Sequence, residues 1–271
     1  MTPAHEYLDL AQFGLHLVSP EDGRFPALLQ EMQARPQPFP PWPTGDLRNA
    51  AILLNKSGRA IVVLSFVWRY TQADGTSRSS QYSNLGSSMQ MEVLTSRSPV
   101  PQDLGTSILA GSKRLLTEQG MFGNNLDVLP EQAFRNGSYM GAGGRAGSHG
   151  TNEQVTSTQL SLDLAVLDNG LCVGPDTDGV AKTLSDSFEV QRFTAEKVAA
   201  AIQNGASDGQ IFEMLLPCAR QARPPAARGA MLLGMFGRMA VDQLINNSRP
   251  EQVAFFQKFA QPPAIKLHRP I

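Results

Sequence analysis

The chain has 271 residues, of which 17% are charged, and a formal net charge of −1. That length buries one large core or two modest ones. Near-neutrality leaves no global field to attract nucleic acid or anionic lipid, so no nucleic acid is expected as a partner.

The first eighteen residues, MTPAHEYLDLAQFGLHLV, lack the basic stretch and unbroken apolar run of a secretory signal, so a cytoplasmic location is the default expectation. Residues 7–18 read as a strand or a short helix, and residues 25–33 as a helix. Residues 35–45, RPQPFPPWPTG, carry five prolines that stiffen the chain into an extended lead. The PPWP within it invites comparison with proline-motif ligands, but a surface lead into the first strand is the preferred reading.

Residues 46–182 are predicted to form a β-sandwich. Residues 50–55 and 59–70 read as an opening strand pair joined by a Lys-Ser-Gly turn. In the second of these, Val62, Leu64, Phe66, Trp68 and Tyr70 share one face, while the other carries Ser65 and Arg69. This period of two marks a half-buried antiparallel strand. Ala73-Asp74-Gly75 turns the chain, and residues 76–82 pair back. Residues 87–94 alternate Met89, Met91 and Val93 with Gln90 and Glu92, and residues 108–117 are a further candidate strand. The clearest late strand is 159–167, with Leu160, Leu162, Leu164 and Val166 on one face and Gln159, Ser161, Asp163 and Ala165 on the other. Asp168-Asn169-Gly170 then turns into residues 171–173. Between these strands lies a Gly- and Asn-rich insertion, residues 118–158, too long for an ordinary loop.

From Ser185 the period becomes helical, and residues 185–262 read as three or four helices followed by a tail, 263–271. Val198, Ala201 and Ile202 form one apolar face, stopped by Asn204-Gly205. Ser207 with Gln210, and Ser248 with Glu251, have capping-box spacing. Pro224-Pro225 opens a further helix, in which Met231, Met235 and Met239 recur beside Leu232 and Phe236. The methionines read as core before partner groove, and Gly229, Gly234 and Gly237 allow another helix to approach closely. The longest nearly apolar run, 229–241, contains Arg238 and falls short of the roughly 20 residues that span a bilayer, so no membrane span is expected.

No constellation amounts to an active site. Residues 140–150, MGAGGRAGSHG, fit G-x-G-x-x-A at Gly141, Gly143 and Ala146, but neither a feeding strand nor a following helix is evident, and no Gly-Lys-Ser/Thr follows. Asp176-Thr177-Asp178-Gly179 resembles part of a calcium loop, yet Gly174 and Ser185 stand where carboxylates are needed, so a turn is preferred. His5, His16, His149 and His268 are scattered without metal-ligand spacing; only His149, near Arg145 and Ser148, invites a proton-transfer role. No G-x-S-x-G elbow is present, and Asp163 and Asp168 suit outward and turn positions. Cys172 and Cys218 read as two buried thiols, with a sheet-to-helix disulfide as the alternative.

Residues 52–75 resemble the opening of bacterial immunoglobulin-like domains of the FxLYD type, through Asn55, Trp68, Tyr70, Asp74 and Gly75. The match departs at Thr71 and in the spacing from Tyr70 to Asp74. The resemblance implies a β-sandwich and an extracytoplasmic or binding context, without catalysis.

The expected fold is therefore α+β: an antiparallel, immunoglobulin-like β-sandwich followed by a helical segment. The leading functional expectation is a non-enzymatic binding or assembly module, without cofactor or metal, in which the helices dock a protein partner or a second copy. One alternative is an enzyme whose site is assembled from loop residues such as Arg145, His149 and Asp176. The other is a carbohydrate-binding sandwich, which needs Trp68 or another aromatic exposed.

Overall fold

The structure is a computed structural model describing residues 4–35, 42–43, 47–84, 94, 107–118, 120–123, 155–220, 228–261 and 266–268. In chain order its elements are β1 (Ala4–Leu8), a 3-10 turn (Ala11–Phe13), β2 (Leu15–Val18), α1 (Phe25–Gln33), β3 (Ala50–Asn55), β4 (Ile61–Gln72), β5 (Ser77–Ser83), β6 (Lys113–Thr117), β7 (Gly120–Phe122), β8 (Val155–Leu167), β9 (Leu171–Val173), α2 (Val180–Gln203), α3 (Asp208–Arg220), α4 (Arg228–Asn246), α5 (Arg249–Phe259) and β10 (Lys266–His268). The ambiguous stretch 7–18 resolves into parts of β1 and β2 with the 3-10 turn between them.

The strands form two sheets. The larger has the order β10-β9-β8-β4-β5, with β1 added beside β8, and the smaller has the order β2-β3-β6-β7. Leu64, Phe66, Trp68, Tyr70, Leu160 and Leu162 of the larger sheet meet Leu15, Ala51, Leu53 and Leu116 of the smaller in one buried core. The outer face of the smaller sheet is covered by α1, where Phe25 and Met32 pack with Val18, Ile52, Leu54 and Leu115. Part of the outer face of the larger sheet is covered by the helices, where Val180, Leu184, Phe188 and Leu232 pack on Val62, Val63, Leu164, Val166 and Cys172. The layers thus run helix, sheet, sheet, helices.

The antiparallel expectation holds for β5-β4-β8-β9 and for the whole smaller sheet, but β1 pairs with β8, and β10 with β9, in parallel. The larger sheet is therefore mixed, because the chain's two ends supply edge strands that no hairpin orients. The expected opening pair also differs: β3 lies in the smaller sheet and β4 in the larger. Their Lys-Ser-Gly connection is a corner between sheets, held by Asn55. The Asn55 side-chain amide donates to the carbonyls of Arg59 at 2.8 Å and Ile108 at 2.9 Å, and its oxygen accepts from the Ser57 hydroxyl at 2.6 Å.

Two interruptions in the β4–β8 ladder change which side chains face the core. Ile61 pairs with Leu167 but Val63 with Val166, which leaves Val62 as an extra residue on β4. Ser65 pairs with Leu164 but Phe66 with Leu162, which leaves Asp163 as an extra residue on β8. A bulge shifts the phase of a two-residue period. Consequently Val62, Leu164 and Val166 face the helices instead of sharing a face with Phe66 and Leu162, as strict alternation predicts. Asp163 anchors the chain leaving β9: its Oδ1 accepts from the Thr177 amide at 2.9 Å and hydroxyl at 2.6 Å, and its carbonyl from the Asp176 amide at 2.9 Å. Gly174, at φ 122°, passes so close that a Cβ there would lie 2.4 Å from the Asp163 carbonyl oxygen.

Of the expected strand at 87–94, only Leu94 is described; it is helical and buried against the β4–β8 face. The strand expected at 108–117 shortens to β6, with Ile108 making a single bridge to Ile61. Both capping boxes form, with Ser207 donating to Gln210 and Ser248 to Glu251. Met235 is buried beside Leu232 and Phe236, and Met239 packs at the edge of the helical core, as a core reading of the stripe requires; the side chain of Met231 lies outside the described residues.

Gly237 meets its expectation most directly. A Cβ there would lie 2.5 Å from the Ala219 nitrogen and 2.7 Å from its Cα, so α4 rests on the backbone of α3. Gly237→Ala must separate the helices and is predicted to cost about 1–3 kcal/mol. Gly209→Ala, in the open first turn of α3, is predicted to be neutral or to stabilise by about 0.4–1 kcal/mol. Urea unfolding of the two variants beside the parent checks the contrast.

Candidate functional site

Among the described residues, the helices do not cover the end of the larger sheet's outer face where Arg69 is exposed. Across this region the register sets Glu6 of β1 beside Gln159 of β8, Arg69 of β4 and Ser79 of β5 in one row. The next row is Ala4, Ser157, Thr71 and Ser77. Alternation sends Phe66, Trp68 and Tyr70 into the core, so the intervening residues emerge together on the other face.

These polar groups are linked. The Gln159 amide donates to the Glu6 carboxylate, and the Arg69 Nη1 donates to the Gln159 Oε1 at 3.5 Å. The Thr71 and Ser77 hydroxyls lie 3.5 Å apart. Together with Ser157 they line a hollow of about 310 Å³. Near the covered region Gln81 donates to the hydroxyl of the buried Ser65 at 3.2 Å. The array is electroneutral, with one guanidinium and one carboxylate bridged by an amide, and it offers donors and acceptors in alternation.

The structure does not gather the residues that the sequence suggested for chemistry. Arg145, Ser148 and His149, with the rest of the glycine-rich stretch 140–150, lie outside the described residues. Asp176 sits before α2, where its carboxylate accepts from the Ala181 amide at 3.2 Å and lies at the positive end of the helix. Asp163 serves the bulge, and Asp168 pairs with Arg59 at 3.1 Å. His16 lies 3.8 Å from Asp9. Among the described residues no three His, Cys, Asp or Glu side chains are placed to hold a metal ion. Trp68 is 1% exposed and stacks beside Tyr70 within the sandwich, so it presents no ring to a ligand.

Where ionisation is displaced, the cause is structural. Burial raises the Tyr7 and Tyr70 hydroxyls, with the charges of Glu21 and Glu118 adding to it respectively. Bonds from Arg24 hold Asp22 down at about 2. Thr76 lowers Asp74 within its turn, and Ser248 lowers Glu251 within its capping box. Burial, assisted by the charge of Asp176, pushes the Cys172 thiol up to about 12. Burial also raises Cys218, partly opposed by a bond from Thr194. Both cysteines are free and buried, Cys172 under α2 and Cys218 in the helical core.

Of the open face, the sequence pattern already marked Arg69 and Gln159 as outward; it placed Ser65 there too, but Ser65 is buried. It missed Glu6, whose strand was ambiguous, and the row that joins Glu6, Gln159 and Arg69, because pairing between strands is not a local property.

A protonated, enclosed thiol is unreactive. Neither cysteine is predicted to react with a thiol-specific reagent at pH 8 in the native state, while two react per chain in denaturant. The Cys172 proton also links to stability. Its unfolded value is near 9 and its folded value near 12, so the stabilisation is complete below pH 9 and lost as pH rises through that window. Labelling kinetics and urea midpoints between pH 8 and 11 check both statements. No protein-family model, curated protein or solved structure matches the chain.

Proposed function

We propose that this protein is a non-enzymatic binding module that recognises a neutral polyol on the open face of its larger sheet through polar groups alone, and not through the aromatic platform of a carbohydrate-binding sandwich, since Trp68 is buried. The observation that carries this reading is the Glu6–Gln159–Arg69 row, bonded across three strands beside a hollow of about 310 Å³. Planar carboxylate, amide and guanidinium groups on a rigid sheet pair with hydroxyls in fixed directions. Their mutual bonds hold the side chains in place before a ligand arrives, which lowers the entropy lost on binding. The absence of net charge favours a neutral ligand over an ion. The buried, protonated state of both thiols and the use of Asp163 and Asp176 in turns support a binding role over a catalytic one. The binding context implied by the immunoglobulin-like resemblance of residues 52–75 agrees with it.

A second reading, self-association through the helical segment, is favoured by a separate observation. Of five exposed large apolar side chains among the described residues, four lie on helices: Val190, Phe193, Phe212 and Ile245. Ile245 is 75% exposed and Phe193 56%. This reading expects a dimer mass in light scattering that Ile245→Asp or Phe193→Asp converts to a monomer.

For the sheet face, isothermal titration with a panel of linear and cyclic polyols is the test. At least one member is predicted to bind; Arg69→Ala should weaken it roughly 10- to 100-fold, since bonds to charged groups contribute about 1.5–3 kcal/mol, and Gln159→Ala roughly 2- to 10-fold, since neutral bonds contribute about 0.5–1.5 kcal/mol. Unchanged unfolding midpoints are expected, because both side chains lie on the surface. Equal binding by the variants, or no binding across the panel, would overturn the sheet-face reading.

A further inference from the structure

On the opposite side of the molecule, α1 and the corner after β3 enclose a second concavity of different character. Ala27 and Leu28 of α1 form one wall, Leu54 and Gly111 the other, and the volume is about 600 Å³. Small-molecule sites typically occupy roughly 300–1,000 Å³. Asn55 also borders the groove, but its amide is committed to the carbonyls of Arg59, Ile108 and Leu109, so it offers no free donor. Leu28 and Leu54 belong to the cluster that binds α1 to the smaller sheet, so the groove is an apolar seam opened to solvent at its end.

Three cations border that opening: Arg24, Lys56 and Lys113. Arg24 is fixed by Asp22 through Nε at 3.0 Å and Nη2 at 2.6 Å. The Lys113 ammonium lies 2.8 Å from Glu31, with its side chain only 15% exposed. Lys56 makes no ion pair among the described residues. Among the described residues Arg24 and Lys113 each have a carboxylate partner and Lys56 has none, so Lys56 is the cation that borders the apolar seam without a carboxylate there. The arrangement is complementary to a molecule with an apolar chain and one negative end.

We propose that this groove binds an amphipathic monoanion, a medium-length alkyl carboxylate, with its chain between α1 and Leu54 and its carboxylate at Lys56. The chain replaces water along the seam, and the head group pairs with the Lys56 ammonium. The site is independent of the open sheet face, since it uses other residues, the other sheet and a ligand of opposite chemistry.

Trp42 packs against the same cluster as Leu28, so its fluorescence reports on the groove. The experiment titrates decanoate into the full chain below its micellar concentration, with octanoate, decanol and decyltrimethylammonium in parallel. Decanoate is expected to bind most tightly. Octanoate should be roughly tenfold weaker, from two fewer buried methylenes. Lys56→Gln should weaken decanoate roughly two- to fivefold, an effect that shrinks in high salt. Ala27→Glu, on an exposed position of α1, should abolish binding by filling the wall with a like charge, while Arg69→Ala leaves it intact. Binding of decanol or the cation as tight as decanoate, indifference to both groove variants, or no saturable decanoate binding would overturn the proposal. Loss on Arg69→Ala would instead locate the binding on the sheet face, and would overturn it as well.

Discussion

The antiparallel β4–β8 pair is the constraint on which the rest of the molecule depends. At one end it is buried on both faces, between the smaller sheet and the helices; at the other it has one face in the core and one in solvent. The residue types follow this division. Ile61-Val-Val-Leu64 and Leu164-Ala-Val-Leu167 are continuous apolar runs, as a doubly covered strand requires. From Trp68 to Thr71, and from Gln159 to Asp163, polar and apolar residues alternate. The bulge at Asp163 stands at the boundary between the two regimes. Its unpaired step adjusts the side-chain phase, and its carbonyl and carboxylate fasten residues 176 and 177, from which α2 departs. One irregularity therefore sets both the face that the helices cover and the point from which they start.

The open polar face follows from the same arrangement. A helix that leaves β9 beside Asp163 packs over the β4–β8–β9 end, and Glu6, Arg69 and Gln159 lie at the far end of those strands. Placing a charged pair and an amide there costs little desolvation, because one side remains in water, while the sheet holds the backbones rigid. The contrast with the α1 groove is physical. There an apolar seam meets solvent beside α1, and cations gather at its edge, Lys113 largely buried against Glu31 and Arg24 held by Asp22.

Much of this was legible in the sequence wherever the information was local. The helix at 25–33, both capping boxes, the strand carrying Trp68 and the close approach at Gly237 all followed from period, caps or residue size. What failed was non-local. The turn after Asn55 looked like a hairpin because short apolar runs flank it, and only the bonds from its amide to residues 108 and 109 make it a corner between sheets. Strict alternation through 159–167 misplaced Leu164 and Val166, since an aspartate in a bulge looks the same as one facing outward. β1 and β10 are short edge strands whose pairing is set by partners far along the chain. The candidate site was half visible for this reason: Arg69 and Gln159 could be assigned a face, but not a shared row with Glu6.

The helical segment cannot be an appendage that swings free of the sandwich. Its longest helix, α2, places Val180, Ala181, Leu184 and Phe188 on the β4–β8 face, and Ala195, Val198, Ala199 and Ile202 in the helical core. One rigid element of 24 residues is thus shared by two hydrophobic clusters. Detaching it would expose Val62, Val63, Leu164 and Val166 together, an apolar patch on the central strands that water would penalise heavily. Any partner of the helices must therefore meet their outer surface, where Phe193 and Ile245 emerge, with the sandwich fixed behind it. A ligand on the open sheet face and a partner on the helices would then act on opposite ends of the same two strands, β4 and β8.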